Sequence, residues 1–121
     1  MAWGMWTATG LALACIIASD DAFAKDPKGF SGIAAYYDKD YQGRTASGVL
    51  YDSNKFTCAH RTLPFGTRLH VTDAKTHRSV IVTVNDRGPF DKGRVIDLSF
   101  AAAKALRMMD RGLIAVTAAV Q

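Results

Sequence analysis

Glutamate is absent from this 121-residue chain, and all 11 of its acidic residues are aspartates. Any mechanism that depends on a glutamate acid, base or nucleophile is thereby excluded. Cysteine is scarce, with only Cys15 and Cys58, so a disulfide-built scaffold is not in prospect. Proline occurs three times, and no internal repeat or low-complexity tract is visible, which excludes collagen-like and proline-rich disordered classes. What remains is ordinary globular composition, 49% hydrophobic and 21% charged, over a length suited to one small domain.

Charge is missing from residues 1–19, and every Lys and Arg lies from Lys25 onward. The uncharged stretch contains Leu11-Ala12-Leu13-Ala14-Cys15-Ile16-Ile17-Ala18, the length of a secretory apolar region, and Ala22-Phe23-Ala24 offers an A-x-A cleavage site. The sequence predicts a signal peptide over residues 1–24, a short polar arm over 25–31 and a domain over 32–121. The alternative is an uncleaved anchor, because no Lys or Arg precedes the apolar run. Gly4, Thr7, Thr9 and Gly10 dilute that run below the ~20 apolar residues of a bilayer span. Lipidation at Cys15 is less favoured than cleavage near Ala24, since Ile16-Ile17-Ala18 continue the apolar run past it and Ala12 sits three positions ahead. The expectation is a periplasmic or secreted protein whose mature chain keeps Cys58 alone. Loss of Asp20 and Asp21 leaves nine acidic against fifteen basic residues, raising the net charge from +4 to +6. Such a balance suits an anionic partner such as a cell wall or membrane surface, and equally serves solubility.

Within the domain the apolar pattern predicts short strands and one helix. Residues 32–37 are rich in strand formers and end at Asp38-Lys39-Asp40. Residues 43–54 read as an irregular loop, 57–60 as a brief strand, and Leu63-Pro64-Phe65-Gly66 as a turn. Leu69 and Val71 alternate with polar neighbours, and Val80, Val82 and Val84 do the same in the next segment, predicting a hairpin over 67–85. Residues 94–98 form a further strand, Ser99 an N-cap, residues 100–109 a helix stopped by Gly112, and 113–120 a last strand. Many strands and one helix point to a small barrel rather than a doubly wound sheet.

Four ordered blocks carry a resemblance. Thr45-Ala46-Ser47-Gly48, then Thr57-Cys58-Ala59-His60-Arg61-Thr62-Leu63-Pro64-Phe65-Gly66-Thr67, then Val84-Asn85-Asp86-Arg87-Gly88-Pro89-Phe90, then Arg94-Val95-Ile96-Asp97-Leu98-Ser99 resemble the rare lipoprotein A (RlpA) family of bacterial envelope proteins. The match runs from about Gly32 to Val120. It implies a mainly β fold, a small six-stranded double-psi β-barrel with one short α-helix. It also implies a periplasmic location and, in active members, a lytic transglycosylase that cleaves peptidoglycan glycan strands. Expansins and barwin-like proteins share the fold and bind or loosen polysaccharide, so the alternative is a non-catalytic polysaccharide-binding or wall-loosening module.

The family pattern has a glutamate after T-A-x-G, a histidine in A-H-x-T-L-P and an aspartate in N-D-R-G-P. Carried over, the histidine is His60 and the aspartate Asp86, both candidate catalytic residues, while the glutamate position holds Val49. Valine can neither transfer a proton nor stabilise a cation. Glycoside hydrolysis ordinarily uses two carboxylates, whereas a lytic transglycosylase uses the sugar's own 6-hydroxyl, so one group can act as acid and then base. Asp52 lies three positions beyond Val49 as a shorter substitute. Asp86 equally suits a turn in which it accepts backbone N–H bonds. Asp97, Tyr36, Tyr37, Arg44, Arg61 and Arg87 are candidate substrate-binding residues. Of Tyr36 and Tyr37, strand alternation turns one toward a groove and the other inward, and Tyr41 and Tyr51 add stacking surface.

Other chemistries find little support. Cys58, His60, His70 and His77 match no common zinc spacing, so no metal is expected. Cys58 and His60 fall on one face of a presumed strand, but no third group completes a cysteine nucleophile. No phosphate loop or dinucleotide fingerprint is present, and no cofactor is expected. Basicity is the sole argument for nucleic acid, and export removes most of the opportunity. The expected partner is the peptidoglycan glycan strand, met by a monomer, with cell-division or wall-remodelling proteins as further candidates.

Overall fold

The computed structural model describes residues 29–121. The proposed signal peptide, the Cys15 alternative and most of the polar arm lie outside the described residues. Six strands and one helix follow in chain order: β1 (Gly29–Tyr36), β2 (Thr57–Ala59), β3 (Arg68–Asp73), β4 (Ser79–Asp86), β5 (Arg94–Leu98), α1 (Phe100–Ala105) and β6 (Ile114–Val120). β1 starts three residues before the expected boundary, where Gly29, Phe30 and Ser31 pair with β6.

The strands close into a barrel in the order β1-β5-β2-β4-β3-β6. Hydrophobic alternation explains the inside. Leu69 and Val71 of β3, Val80, Val82 and Val84 of β4, Ile96 and Leu98 of β5, and Ile114, Val116 and Ala118 of β6 form one buried cluster, as a period-2 pattern requires of a half-buried strand. β3 and β4 form the expected hairpin, with Leu69 opposite Val82 and Val71 opposite Val80.

Two parallel pairs set this barrel apart from a simple meander. β1 runs parallel to β5 and β2 parallel to β4, each with a register shift, between Ile33 and Ala34 in one and Cys58 and Ala59 in the other. The β1–β5 approach depends on Gly32: a Cβ there would lie 2.5 Å from Cγ1 of Val95.

Ser99 caps α1 as expected, its hydroxyl accepting from the Ala102 N–H. The helix ends at Ala105 rather than Met109. Leu106 and Met108 are both fully buried, and Arg107 between them takes a positive φ of 55°. Unwinding after Ala105 lets both side chains enter the core, which a continuing helix would place 200° apart around its axis.

Candidate functional site

The barrel's closure order aligns three residues. Ala59 of β2 pairs with Asp97 of β5 on one side and Asp86 of β4 on the other. Two interstrand spacings of 4.7–4.9 Å put the two aspartate backbones about 10 Å apart.

Asp86 is held from three directions. Its Oδ1 accepts from the backbone N–H of Ala46 at 2.7 Å and of Arg87 at 2.9 Å, and its Oδ2 accepts from the Tyr37 hydroxyl. The Ala46 contact belongs to a loop, residues 44–50, clipped to the end of β4 a second time by Ser47 N–H donating to the Asn85 carbonyl at 3.2 Å. Gly48, with φ 97°, makes the tight turn within that loop. The T-A-x-G block thus delivers a backbone amide to the carboxylate.

Val49 follows on the same loop. Its carbonyl accepts from the Thr45 N–H at 2.8 Å and the Thr45 hydroxyl at 3.0 Å, and its side chain is 52% exposed. Nothing in this environment calls for an apolar residue, so position 49 offers room for a longer acidic side chain.

The tyrosines divide as strand alternation requires. Tyr36 packs against the core and its hydroxyl donates to the Met109 carbonyl at 3.4 Å. Tyr37 faces Asp86 and stacks on Tyr51 at 4.7 Å between centroids, with Tyr41 edge-on to both at 5.3 and 5.5 Å. Burial, then the Asp86 hydrogen bond and the charges of Asp86 and Asp97, drive the Tyr37 hydroxyl far above its ordinary value, so it stays a donor. Tyr41, Leu50, Tyr51, Asp52 and two lysines, Lys39 and Lys55, line an adjoining groove of about 460 Å³. Asp52 closes a turn there, its Oδ1 accepting from Asn54 N–H at 2.9 Å.

His60 lies beside Asp86 through the main chain, its N–H donating to the Asp86 carbonyl at 3.1 Å. Its ring does not hydrogen-bond the Asp86 carboxylate. Nδ1 instead accepts from the N–H groups of Thr62 and Leu63 at 3.2 and 3.1 Å, and the ring rests on Phe30 at 4.9 Å. Burial, then the charges of Arg61 and Arg87, lower the imidazole below its ordinary value. The strand ends before His60, so the face it was expected to share with Cys58 is not formed. Cys58 is in the core, and burial pushes its thiol up to about 12.

The arginines are largely occupied by the protein itself. Arg61 donates to the carbonyls of Pro89 at 2.7 Å and Arg94 at 2.6 Å. Arg87 donates to those of His60 and Leu63 at 3.2 and 2.8 Å, and its guanidinium lies 4.1 Å over the Phe65 ring. Arg44 donates to the Gly48 carbonyl at 2.9 Å, steadying the loop that carries Val49. Asp97 is paired with Arg94 at 2.6 Å, which also holds Asp91 at 2.7 Å. Sequence reasoning could not anticipate these carbonyl contacts, because no residue pattern marks a backbone acceptor.

Comparison with known proteins bears on this geometry. The family model described as Lytic transglycolase matches residues 30–118. The chain belongs to this family, that of the RlpA-like double-psi β-barrels. It is 47% identical over 93 residues to the endolytic peptidoglycan transglycosylase RlpA of Pasteurella multocida, covering 74% of this chain and 32% of that protein. It is 50% identical over 90 residues to the probable RlpA of Nostoc sp., covering 72% and 24%. The chain spans about a third or less of the length of these curated relatives. Among solved structures, a Streptomyces papain inhibitor matches with TM-score 0.63 at 26% identity, covering 79% of this chain and 96% of that one. An expansin of Clavibacter michiganensis, in complex with cellohexaose, matches with TM-score 0.61 at 23% identity, covering 77% and 50%. This last likeness concerns the fold.

Proposed function

We propose that this chain is an envelope protein acting on peptidoglycan glycan strands, with a weakened lytic transglycosylase site centred on Asp86. The observation that carries the reading is the fixing of the Asp86 carboxylate by Tyr37, Ala46 and Arg87 beside an aromatic groove. The names of the RlpA relatives support the choice of substrate.

In such a reaction the glycosidic oxygen takes up a proton as its bond to C1 breaks. The 6-hydroxyl of the same sugar closes on C1 and gives its proton to a base, so no water enters and a 1,6-anhydro end results. A single carboxyl can supply the first proton and receive the second. Tyr37 suits both states, since a phenol donates to a carboxylate and, turned, accepts from a carboxylic acid. The Tyr37, Tyr41 and Tyr51 cluster offers flat apolar faces for sugar rings. With valine at position 49 no second acid–base group stands on the loop. Such a group is typically worth 10²–10⁴ in rate, so turnover is slow.

The test is digestion of intact sacculi and of peptide-stripped glycan by the purified protein and by Asp86→Asn. The reading expects anhydro ends from the wild type and none from the variant; no anhydro ends from either substrate sinks it. Val49 favours a second reading, a glycan-binding or wall-loosening module without cleavage. That reading expects sedimentation with sacculi that survives Asp86→Asn and weakens in Tyr41→Ala, with no new chain ends.

A further inference from the structure

Arg61 and Arg87 occupy matching positions. Each directly follows a candidate catalytic residue, Arg61 after His60 and Arg87 after Asp86, where the parallel strands β2 and β4 end. The last backbone bond between those two chain segments is the His60 N–H donating to the Asp86 carbonyl. Beyond it, among the described residues, no backbone hydrogen bond joins residues 61–66 to residues 87–94. Two side chains span the gap instead.

They span it in opposite directions. Arg61, on the first loop, donates through Nε and Nη2 to the carbonyls of Pro89, Asp91 and Arg94 on the second, at 2.7, 3.4 and 2.6 Å. Arg87, on the second, donates through Nη1 to the carbonyls of His60 and Leu63 on the first, at 3.2 and 2.8 Å, and lies over the Phe65 ring. Among the described residues neither guanidinium has a carboxylate within ion-pair distance, so backbone carbonyls are their anchors. A lysine would keep the charge and lose the planar fork that reaches several carbonyls at once.

Both sets of contacts lead back to the site. Leu63, whose carbonyl Arg87 holds, donates its own N–H to Nδ1 of His60, as Thr62 does beside it. Fixing that turn therefore fixes the plane of the imidazole. Arg87 also donates its backbone N–H to Oδ1 of Asp86 at 2.9 Å, so this one residue binds the Asp86 carboxylate and the His60 carbonyl together. Arg61 anchors the segment that leads on from Arg87 to Arg94, the ion-pair partner of Asp97. We propose that Arg61 and Arg87 are positioning residues, a reciprocal clasp in which each arginine holds the loop behind the other's site residue and so keeps the His60 imidazole in register with the Asp86 carboxylate. The role rests on the reading of a transglycosylase site and adds how its two groups are held together, without either guanidinium touching glycan.

The experiment measures amide hydrogen exchange by NMR in the wild type, Arg61→Lys, Arg87→Lys and the double variant, alongside anhydro-end formation and sedimentation with sacculi. A clasp predicts a crossed pattern. Arg87→Lys is expected to speed exchange at Thr62 and Leu63 about tenfold, and Arg61→Lys to speed it at Arg87 by a similar factor, each by more than any rise in the β3–β4 hairpin. Turnover is expected to fall about ten- to a hundredfold in each single variant, with sacculus binding unchanged. The double variant should fall little further, because releasing one loop already frees both groups. A uniform rise across all amides, unaltered exchange, unaltered turnover, or a loss of sacculus binding that accounts for the lost turnover overturns the clasp. Crossed exchange in a protein whose wild type yields no anhydro ends overturns the transglycosylase reading alone, whereas anhydro ends with uniform exchange overturn the clasp alone.

Discussion

The hydroxyl of Tyr37, the residue following β1, donates to Oδ2 of Asp86 at the end of β4. These strands are not neighbours in the barrel, since β5 and β2 stand between them, so the bond ties a side chain across two intervening strands to the carboxylate. Tyr37→Phe removes this donor while keeping the ring stacked on Tyr51. Hydrogen bonds to charged groups contribute about 1.5–3 kcal/mol when buried, and this one is half exposed, so a stability loss of about 1 kcal/mol is expected in urea unfolding. Glycan turnover should fall by more than that loss explains. A variant as active as the wild type would separate Tyr37 from the chemistry.

Asp73 predicts the opposite pattern, a structural defect without a site defect. Its side chain is fully buried at the β3–β4 turn, accepts from Lys75 N–H at 2.8 Å and is ion-paired with Arg111. The Arg111 hydrogen bond holds its carboxyl far below the usual range. The stabilisation is therefore complete above the ordinary carboxylate value and is lost as pH falls toward the depressed folded one. Asp73→Ala strands Arg111 and two turn amides, at a cost of about 3 kcal/mol. Thermal unfolding should register this, while sacculus binding by the folded fraction should be unchanged.

His60 gives a pH signature. Its folded-state value lies below 6.5, so as pH drops past 6.5 the unfolded chain takes up the proton first and stability declines. His60→Asn removes this component. Urea midpoints measured between pH 8 and 5 should decline less steeply in the variant than in the wild type; parallel declines would contradict the placement of the ring.

Cys58 is 1% exposed with its thiol pushed up to about 12 by burial. Reactivity belongs to the thiolate, so iodoacetamide at pH 8 should leave Cys58 unmodified in the native protein and label it fully in denaturant. Rapid native labelling would contradict its place in the core.

Much of this was legible in the sequence, for definite physical reasons. Period-2 alternation in β3 and β4 marked the inward valines, and Ser99 marked the helix start. Chain order carries no information on the parallel pairing of β1 with β5 or β2 with β4; the family resemblance implied a six-stranded double-psi barrel without naming these pairs. The early helix end was hidden because Leu106 and Met108 are good helix formers whose burial overrides propensity. The contacts of Arg61 and Arg87 with backbone carbonyls have no counterpart in the residue pattern. The burial and pairing of Asp73 had no signal beyond a turn aspartate. Alternation did foresee that Tyr36 and Tyr37 would part, though not which would reach Asp86.

The missing glutamate now has a structural setting. Position 49 is an exposed side chain on a loop that hydrogen-bonds the Asp86 carboxylate through Ala46. The most direct measurement is the rate of 1,6-anhydro end formation on peptide-stripped glycan by Val49→Glu, made both in the wild-type background and with Asp86→Asn. An otherwise intact site predicts a gain of about 10²-fold or more that requires Asp86. No gain, or an equal gain without Asp86, would contradict a transglycosylase site centred on that carboxylate.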